Sequence, residues 1–149
     1  MKFDHPIEVI LREKGNRIYS ISPEATVYEA LVIMADKGIG ALIVMDGERL
    51  VGIFSERDYA RRVALAGRSS REMKVREIMS SNVVTVGPRS TVDECMKRMT
   101  DKRCRHLPVV DGEKVVAVVS IGDLVNWVIR MQDFTIHELE DYIYGKYPR

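Results

Sequence analysis

Residues 18–59 can be laid over residues 83–124 without a gap, and 15 of the 42 paired positions are identical. The offset is 65 throughout, so G-I-F-S-E-R-D at 52–58 reappears as A-V-V-S-I-G-D at 117–123. Agreement at one constant spacing marks a duplication, and a duplication restricts the architecture more than composition does. Each copy reads the same way. A short strand (I-Y-S-I, V-V-T-V) meets Pro23 or Pro88. Thr26 or Thr91 then caps a helix, with Glu29 or Glu94 three residues on to complete a capping box. Val27, Ala30, Leu31 and Met34, and likewise Val92, Cys95, Met96 and Met99, follow i, i+3, i+4, i+7 spacing. An apolar strand, an Asp-Gly turn and a second strand form a hairpin. Ser55-x-x-Asp58 or Ser120-x-x-Asp123 opens the next helix.

The pattern predicts an α/β (α+β) fold: two tandem β-α-β-β-α repeats related by a pseudo-twofold, with flanking N- and C-terminal helices. Expected bounds are 1–16 for an N-terminal helix, 17–75 and 76–134 for the repeats, and 135–149 for a short C-terminal helix and tail. Residues 67–82 join the halves, polar at first and then V-R-E-I-M, which suits one helical turn. Neither half buries both of its faces alone, so the two must pack together.

Composition narrows the function. The chain is 46% hydrophobic and 30% charged with a formal net charge of +1, so no global field advertises nucleic acid or an acidic membrane. No apolar run approaches the roughly 20 residues of a bilayer span, and M-K-F-D-H-P-I-E has no apolar core of a signal peptide. Cys95 and Cys104 lie in apolar-periodic segments and read as inert core thiols. His5, His106 and His137 are scattered, and no zinc-like spacing occurs. A cytoplasmic, metal-free protein is expected. With no P-loop, no G-x-G-x-x-G and no arguable catalytic triad, enzyme activity is not expected.

The repeated Ser-x-x-Asp has two readings. As a cap, Ser at the N-cap and Asp at N3 satisfy open amides and complement the helix dipole. As a ligand site, the same helix start offers N–H groups to phosphate, and its carboxylate can accept from two adjacent ribose hydroxyls. Basic residues are divided between the copies. Arg103, Arg105 and His106 enter the second strand of repeat 2, where repeat 1 has Gly38, Gly40 and Ala41. Arg57, Arg61 and Arg62 lie on the second helix of repeat 1, where repeat 2 has Gly122, Asn126 and Trp127.

Short strand, Pro turn, capped helix, D-G-E hairpin and G-h-h-S-x-x-D, occurring twice in order, resemble the CBS domain. R-C-R-H-L-P-V-V-D and S-I-G-D-L resemble the stand-alone bacterial CBS pairs. The resemblance spans roughly residues 7–132. It implies a regulatory sensor that binds an adenosine nucleotide in clefts between the repeats: AMP first, with ADP, ATP or NAD(H) as alternatives. It places Asp58 and Asp123 on ribose, and Ser55 and Ser120 beside phosphate. Arg105 and His106 fall where the family sets basic residues against phosphate; Arg57 and Arg61 read either as further phosphate contacts supplied across the pseudo-twofold or as a solvated helix face. Ile18, Ser20, Ser22, Thr85, Gly40, Ala41, Leu107 and Pro108 fall at the family's adenine-contact positions. Ala117, where the motif prefers Gly, implies unequal sites. A disc-like homodimer and a target protein are the implied partners. The rival expectation is a structural interaction and oligomerisation module without ligand sensing. A nucleic-acid partner, suggested only by the Arg-rich stretch 61–76, is disfavoured by its acidic interruption and lack of aromatic platforms.

Overall fold

The computed structural model describes residues 3–15 and 17–143. Met1, Lys2, Asn16 and the tail 144–149 lie outside the described residues, and with them part of the expected flanking segments.

Repeat 1 comprises β1 (Ser20–Ile21), α2 (Val27–Lys37), β2 (Ala41–Asp46), β3 (Arg49–Ser55) and α3 (Glu56–Tyr59), preceded by α1 (Glu8–Lys14). After α3 a π-helical turn occupies Ala60–Ala64. A second short helix, α4 (Val75–Ile78), joins the halves. Repeat 2 comprises α5 (Val92–Lys102), β4 (His106–Asp111), β5 (Lys114–Ser120) and α6 (Ile121–Ile143). Both expected capping boxes form. The Glu29 amide donates to Thr26 Oγ1 at 3.1 Å, and the Thr26 amide donates to Glu29 Oε2 at 3.3 Å. Thr91 and Glu94 repeat the exchange at 3.1 and 3.2 Å. Each hairpin turns at the Asp-Gly, where Gly47 (φ 63°) and Gly112 (φ 65°) adopt the left-handed conformation an L side chain resists.

Two expectations from the sequence need correction. The first strand of repeat 2 shrinks to a single parallel bridge, Val86 to Val109, where repeat 1 pairs β1 with β2 through Ser20–Ile43 and Ile21–Val44. Pro108 stands where repeat 1 has Ile43, and it has no N–H to extend the ladder past Val86. Of the separate C-terminal helix expected at 135–149, the described part, 135–143, belongs to the preceding helix. The helix opened by Ser120 continues unbroken for 23 residues to Ile143, because no Pro or Gly interrupts 123–143.

The cores are built by exchange. Ile7, Ile10 and Leu11 of the N-terminal segment pack in the core of repeat 2, with Val92, Cys95, Leu107, Val119, Leu124 and Trp127. Met73, Val75 and Ile78 of the linker fill the core of repeat 1, with Val27, Met34, Leu42, Val44 and Phe54. The backbone joins are equivalent. Ile7 N–H donates to Ser90 O and Val92 N–H to His5 O, while Val75 N–H donates to Ala25 O and Val27 N–H to Met73 O. The chain therefore enters repeat 2 first and returns to it after building repeat 1.

Ile7 is fully buried. Ile7→Ala is expected to lower unfolding free energy by about 2–5 kcal/mol in urea denaturation, although it lies outside both repeats in sequence. A loss well under 1 kcal/mol would show that the segment is a peripheral attachment.

Candidate functional site

Two clefts open between the repeats, and their linings correspond at the 65-residue offset. One, of about 390 Å³, combines Val118, Ser120 and Asp123 of repeat 2 with Ile18, Tyr19 and the corner Gly38–Ala41 of repeat 1. The other, of about 210 Å³, combines Ile53, Ser55 and Asp58 of repeat 1 with the corner Arg103–His106 of repeat 2. Each cleft thus faces a Ser-x-x-Asp helix start from one copy with the helix-to-strand corner of the other. Gly40 and His106 border both. They meet at the pseudo-axis, where a Cβ on Gly40 would lie 3.6 Å from the His106 ring.

Both Asp residues cap their helices through one oxygen. Asp58 Oδ2 accepts from the Ser55 amide at 2.9 Å and the Ser55 hydroxyl at 3.0 Å, and Ser55 Oγ accepts from the Asp58 amide at 3.2 Å. Asp123 Oδ2 accepts from the Ser120 amide at 2.8 Å, and Ser120 Oγ accepts from the Asp123 amide at 3.1 Å. A carboxylate has about four acceptor positions. Among the described residues nothing donates to Oδ1 of either Asp, so capping leaves that oxygen available for a pair of adjacent hydroxyls. The cap therefore occupies one oxygen of each side chain and leaves the other as an open acceptor.

The clefts differ in charge. Arg57, Arg61, Arg103 and Arg105 line the Asp58 cleft beside Glu56 and Asp58, and none of the four pairs with a carboxylate within 4.0 Å among the described residues. Four guanidiniums against two carboxylates make it an anion-attracting cleft. Arg103 also sits at φ 54°, the left-handed position that its counterpart Gly38 occupies without strain. A β-carbon there costs about 1–2 kcal/mol. In the Asp123 cleft the cations are Arg17 and Lys14, the latter on the extra turn of α1 and paired with Asp123. Its ammonium donates to Asp123 Oδ2 at 2.7 Å and to Val118 O at 2.8 Å.

Burial alone would raise the Asp123 carboxyl, but Lys14 and the Ser120 donors together hold it below its ordinary value of 3.8. His106 is lowered from 6.5, first by burial and then by the nearby cations Lys14 and Arg105, against the pull of Asp123. It is therefore a neutral imidazole at neutral pH. Burial, with Glu94 adding to it, raises the Cys95 thiol to about 11, so it stays protonated and unreactive. Among the described residues no three His, Cys, Asp or Glu side chains are grouped to hold a metal ion.

The sequence-derived candidates divide. Ser55, Arg57, Asp58, Arg61, Arg105, His106 and Gly40 meet in the Asp58 cleft. Ile18, Gly40, Ala41, His106, Ser120 and Asp123 meet in the other. Ser20, Ser22 and Thr85 line neither; the Ser22 hydroxyl accepts from the Glu24 amide, and the Thr85 carbonyl from Arg98. Leu107 and Pro108 are buried, Leu107 wholly in the repeat 2 core. Arg62 turns away to donate to the carbonyls of Ile78 and Met79 at 3.1 and 3.4 Å, tying the second helix to α4. Ala117 is buried in the repeat 2 core rather than narrowing a cleft. Its counterpart Gly52 is the constrained position, since a Cβ there would meet Met79 Sδ at 2.5 Å and Ser80 O at 3.1 Å. Lys14 was not legible as a site residue, because α1 reads as a flanking helix.

The CBS domain family model matches residues 14–65 and 75–130. The chain belongs to the CBS domain family. A putative signal-transduction protein with CBS domains from Burkholderia ambifaria superposes with a TM-score of 0.81 at 48% identity, covering 84% of this chain and 94% of that one. The mitochondrial CBS domain-containing protein CBSX3 of Arabidopsis thaliana is 39% identical over 127 residues, 82% of this chain. The match spans 62% of that relative's length. The CBS domain pair of protein MJ0100, solved with 5′-methylthioadenosine and S-adenosyl-L-methionine, superposes at TM-score 0.72 and 26% identity, covering 83% of this chain and 94% of that one. Among the described residues of this CBS pair, no helix is long and apolar enough to cross a membrane.

Acidification acts on the clefts with a definite sign. His106 and Asp123 both have depressed values in the folded state, so each contributes stability that is present above its ordinary value and lost as pH falls through the folded one: below 6.5 for His106 and below 3.8 for Asp123. Lys14→Gln removes a repelling cation and leaves Asp123 attracting the proton, so the His106 value is expected to rise in an NMR titration. Since Lys14 is 40% exposed, the accompanying loss of stability is expected to be about 1 kcal/mol or less. An unmoved His106 titration would show that the ammonium does not act on the ring.

Proposed function

We propose that this CBS pair is a regulatory sensor that binds an adenosine nucleotide in its inter-repeat clefts and signals by a change in conformation or assembly. AMP is the expected ligand, with ADP, ATP or NAD(H) fitting the same adenosine-recognising end. The observation that carries the reading is the Asp58 cleft: a half-buried carboxylate with one oxygen open, beside four arginines that form no ion pair among the described residues. Asp58 takes the ribose hydroxyls; Arg57, Arg61, Arg103 and Arg105 hold phosphate. Charge-assisted bonds of that kind contribute roughly 1.5–3 kcal/mol each. The adenosine-type ligands of the MJ0100 pair support the class of ligand, and the strain tolerated at Arg103 supports a functional reason for a guanidinium there. The Asp123 cleft is the second candidate site, with Ser120, Asp123 and the apolar Ile18 and Ala41.

In this reading the CBS pair is not itself a catalyst, assembles as a homodimer, and acts in the cytoplasm on a target protein. Ligand binding changes the signalling surface only as far as the ligand prefers one arrangement over another.

Thermal-shift and calorimetric titrations with AMP, ADP, ATP, NADH and S-adenosylmethionine test the sensor. Stabilisation by at least one is expected; none at millimolar concentration would leave only the interaction module. Asp58→Ala is expected to weaken binding by about 5–150-fold, equivalent to about 1–3 kcal/mol. Unchanged affinity in both Asp58→Ala and Asp123→Ala would reduce the two aspartates to caps. Arg103→Gly is expected to separate stability from binding: melting temperature unchanged or raised as the strain at φ 54° is relieved, affinity for phosphorylated ligands lowered.

A further inference from the structure

Helix α6 carries two apolar stripes, and only one is used. Leu124, Trp127, Val128 and Met131 pack against the repeat 2 core, and Met131 is the last α6 side chain to do so among the described residues. The other stripe is Val125, Ile129, Gln132, Ile136, Leu139 and Ile143, spaced 4, 3, 4, 3 and 4. Its five apolar members are between 41% and 71% exposed. That spacing is a heptad seam running about 27 Å along the helix at 1.5 Å per residue. Beyond Met131 the helix has no core beneath it, and a solitary helical end of this length is marginal in water.

The seam says what covers it. All three a positions, Ile129, Ile136 and Ile143, are β-branched, and the d positions are Val125, Gln132 and Leu139; in a parallel assembly, Ile at a facing Leu139 at d favours two strands. The single polar d residue, Gln132, matches its own copy only when the helices are parallel and in register. Flanking charge agrees. The e positions carry Asp133 and Glu140, whereas the g positions carry Val128 and Thr135. A parallel pair sets e against g and opposes no like charges. An antiparallel pair sets e against e and brings Asp133 towards Glu140 of the other copy. The basic Arg130 is held on the outer face by Glu13 of α1 at 2.7 Å.

We propose that α6 pairs in parallel and in register with α6 of a second copy of this chain, along Val125, Ile129, Gln132, Ile136, Leu139 and Ile143. The inference rests on the self-association reading given above and assigns it a surface and an orientation.

Sedimentation equilibrium of the full chain, beside Ile136→Glu and Phe134→Glu, tests the surface. Phe134 is as exposed as Ile136 but lies off the seam. A dimer is expected, weakened at least about tenfold by Ile136→Glu, which buries a charge in the seam, and left intact by Phe134→Glu. Orientation is read from Ile143→Cys in a Cys104→Ser background under mild oxidation. A parallel pair places the two introduced thiols within disulfide reach, and cross-linked dimer is expected. A monomeric wild-type chain would overturn both self-association and the seam. A dimer indifferent to Ile136→Glu, or equally weakened by Phe134→Glu, would overturn the seam alone. Sensitivity to Ile136→Glu without cross-linking would overturn the parallel register.

Discussion

The crossed packing of α1 and α4 is the constraint on which the rest of the structure depends. Each short segment completes the core of the repeat that does not follow it: Ile7, Ile10 and Leu11 under repeat 2, Met73, Val75 and Ile78 under repeat 1. Neither repeat can be removed without stripping the other of buried side chains. The two clefts are a consequence. Because the halves are locked face to face, the Ser-x-x-Asp helix start of one copy stands opposite the helix-to-strand corner of the other, twice. Exchange also explains why Arg62 is not a ligand residue. It secures α4 by its carbonyls and so belongs to the interlock.

Duplication makes the clefts equivalent in backbone, and a few substitutions then make them different in chemistry. At the corner, Gly38 and Gly40 in one copy correspond to Arg103 and Arg105 in the other. On the helix, Arg57 corresponds to Gly122. Both exchanges place their arginines in the same cleft, because each cleft draws its corner and its helix from opposite repeats. Charge is thereby concentrated on the Asp58 side, while the larger Asp123 side carries Arg17 and the Lys14–Asp123 pair. His106 lies between them; burial is the first cause of its lowered value, and Lys14 and Arg105, one from each cleft, add to it.

Most of this was legible from spacing. The capped helices and the Asp-Gly hairpins follow from a pattern that repeats at 65 residues, and the meeting of Ser55, Arg57, Asp58 and Arg61 with Arg105 and His106 follows from packing the two copies face to face. What escaped depends on non-local packing. The strand at Val83–Val86 looks as good as I-Y-S-I until Pro108 is placed beside it and the missing N–H becomes relevant. Leu107 and Pro108 sit at a cleft-facing position in sequence, yet strand alternation turns Leu107 into the core. Lys14 was hidden because the N-terminal segment repeats at a different offset. I-E-V-I-L at 7–11 matches V-R-E-I-M at 75–79 across 68 residues, and the additional residues before the first strand carry the ammonium to Asp123.

The two aspartates cap helices of unequal consequence. Asp58 begins α3, four residues long, which passes into a π-helical turn and ends near Ala64. Asp123 begins the 23-residue α6, whose far half outruns the core and whose outer stripe is exposed. A ligand at Asp58 would therefore act on a short element, the cleft wall and the π-helical turn. A ligand at the open Oδ1 of Asp123 would sit beside the Lys14 ammonium on Oδ2 and would act on the first turn of a helix that outruns the core among the described residues. Whatever free energy such a ligand gains in one setting of α6 over another returns as a change in what α6 contacts, and partners of α6 alter the affinity at Asp123 by the same factor. The duplicated motif therefore gives two clefts of similar geometry, of which, among the described residues, only the second is joined directly to a long helix.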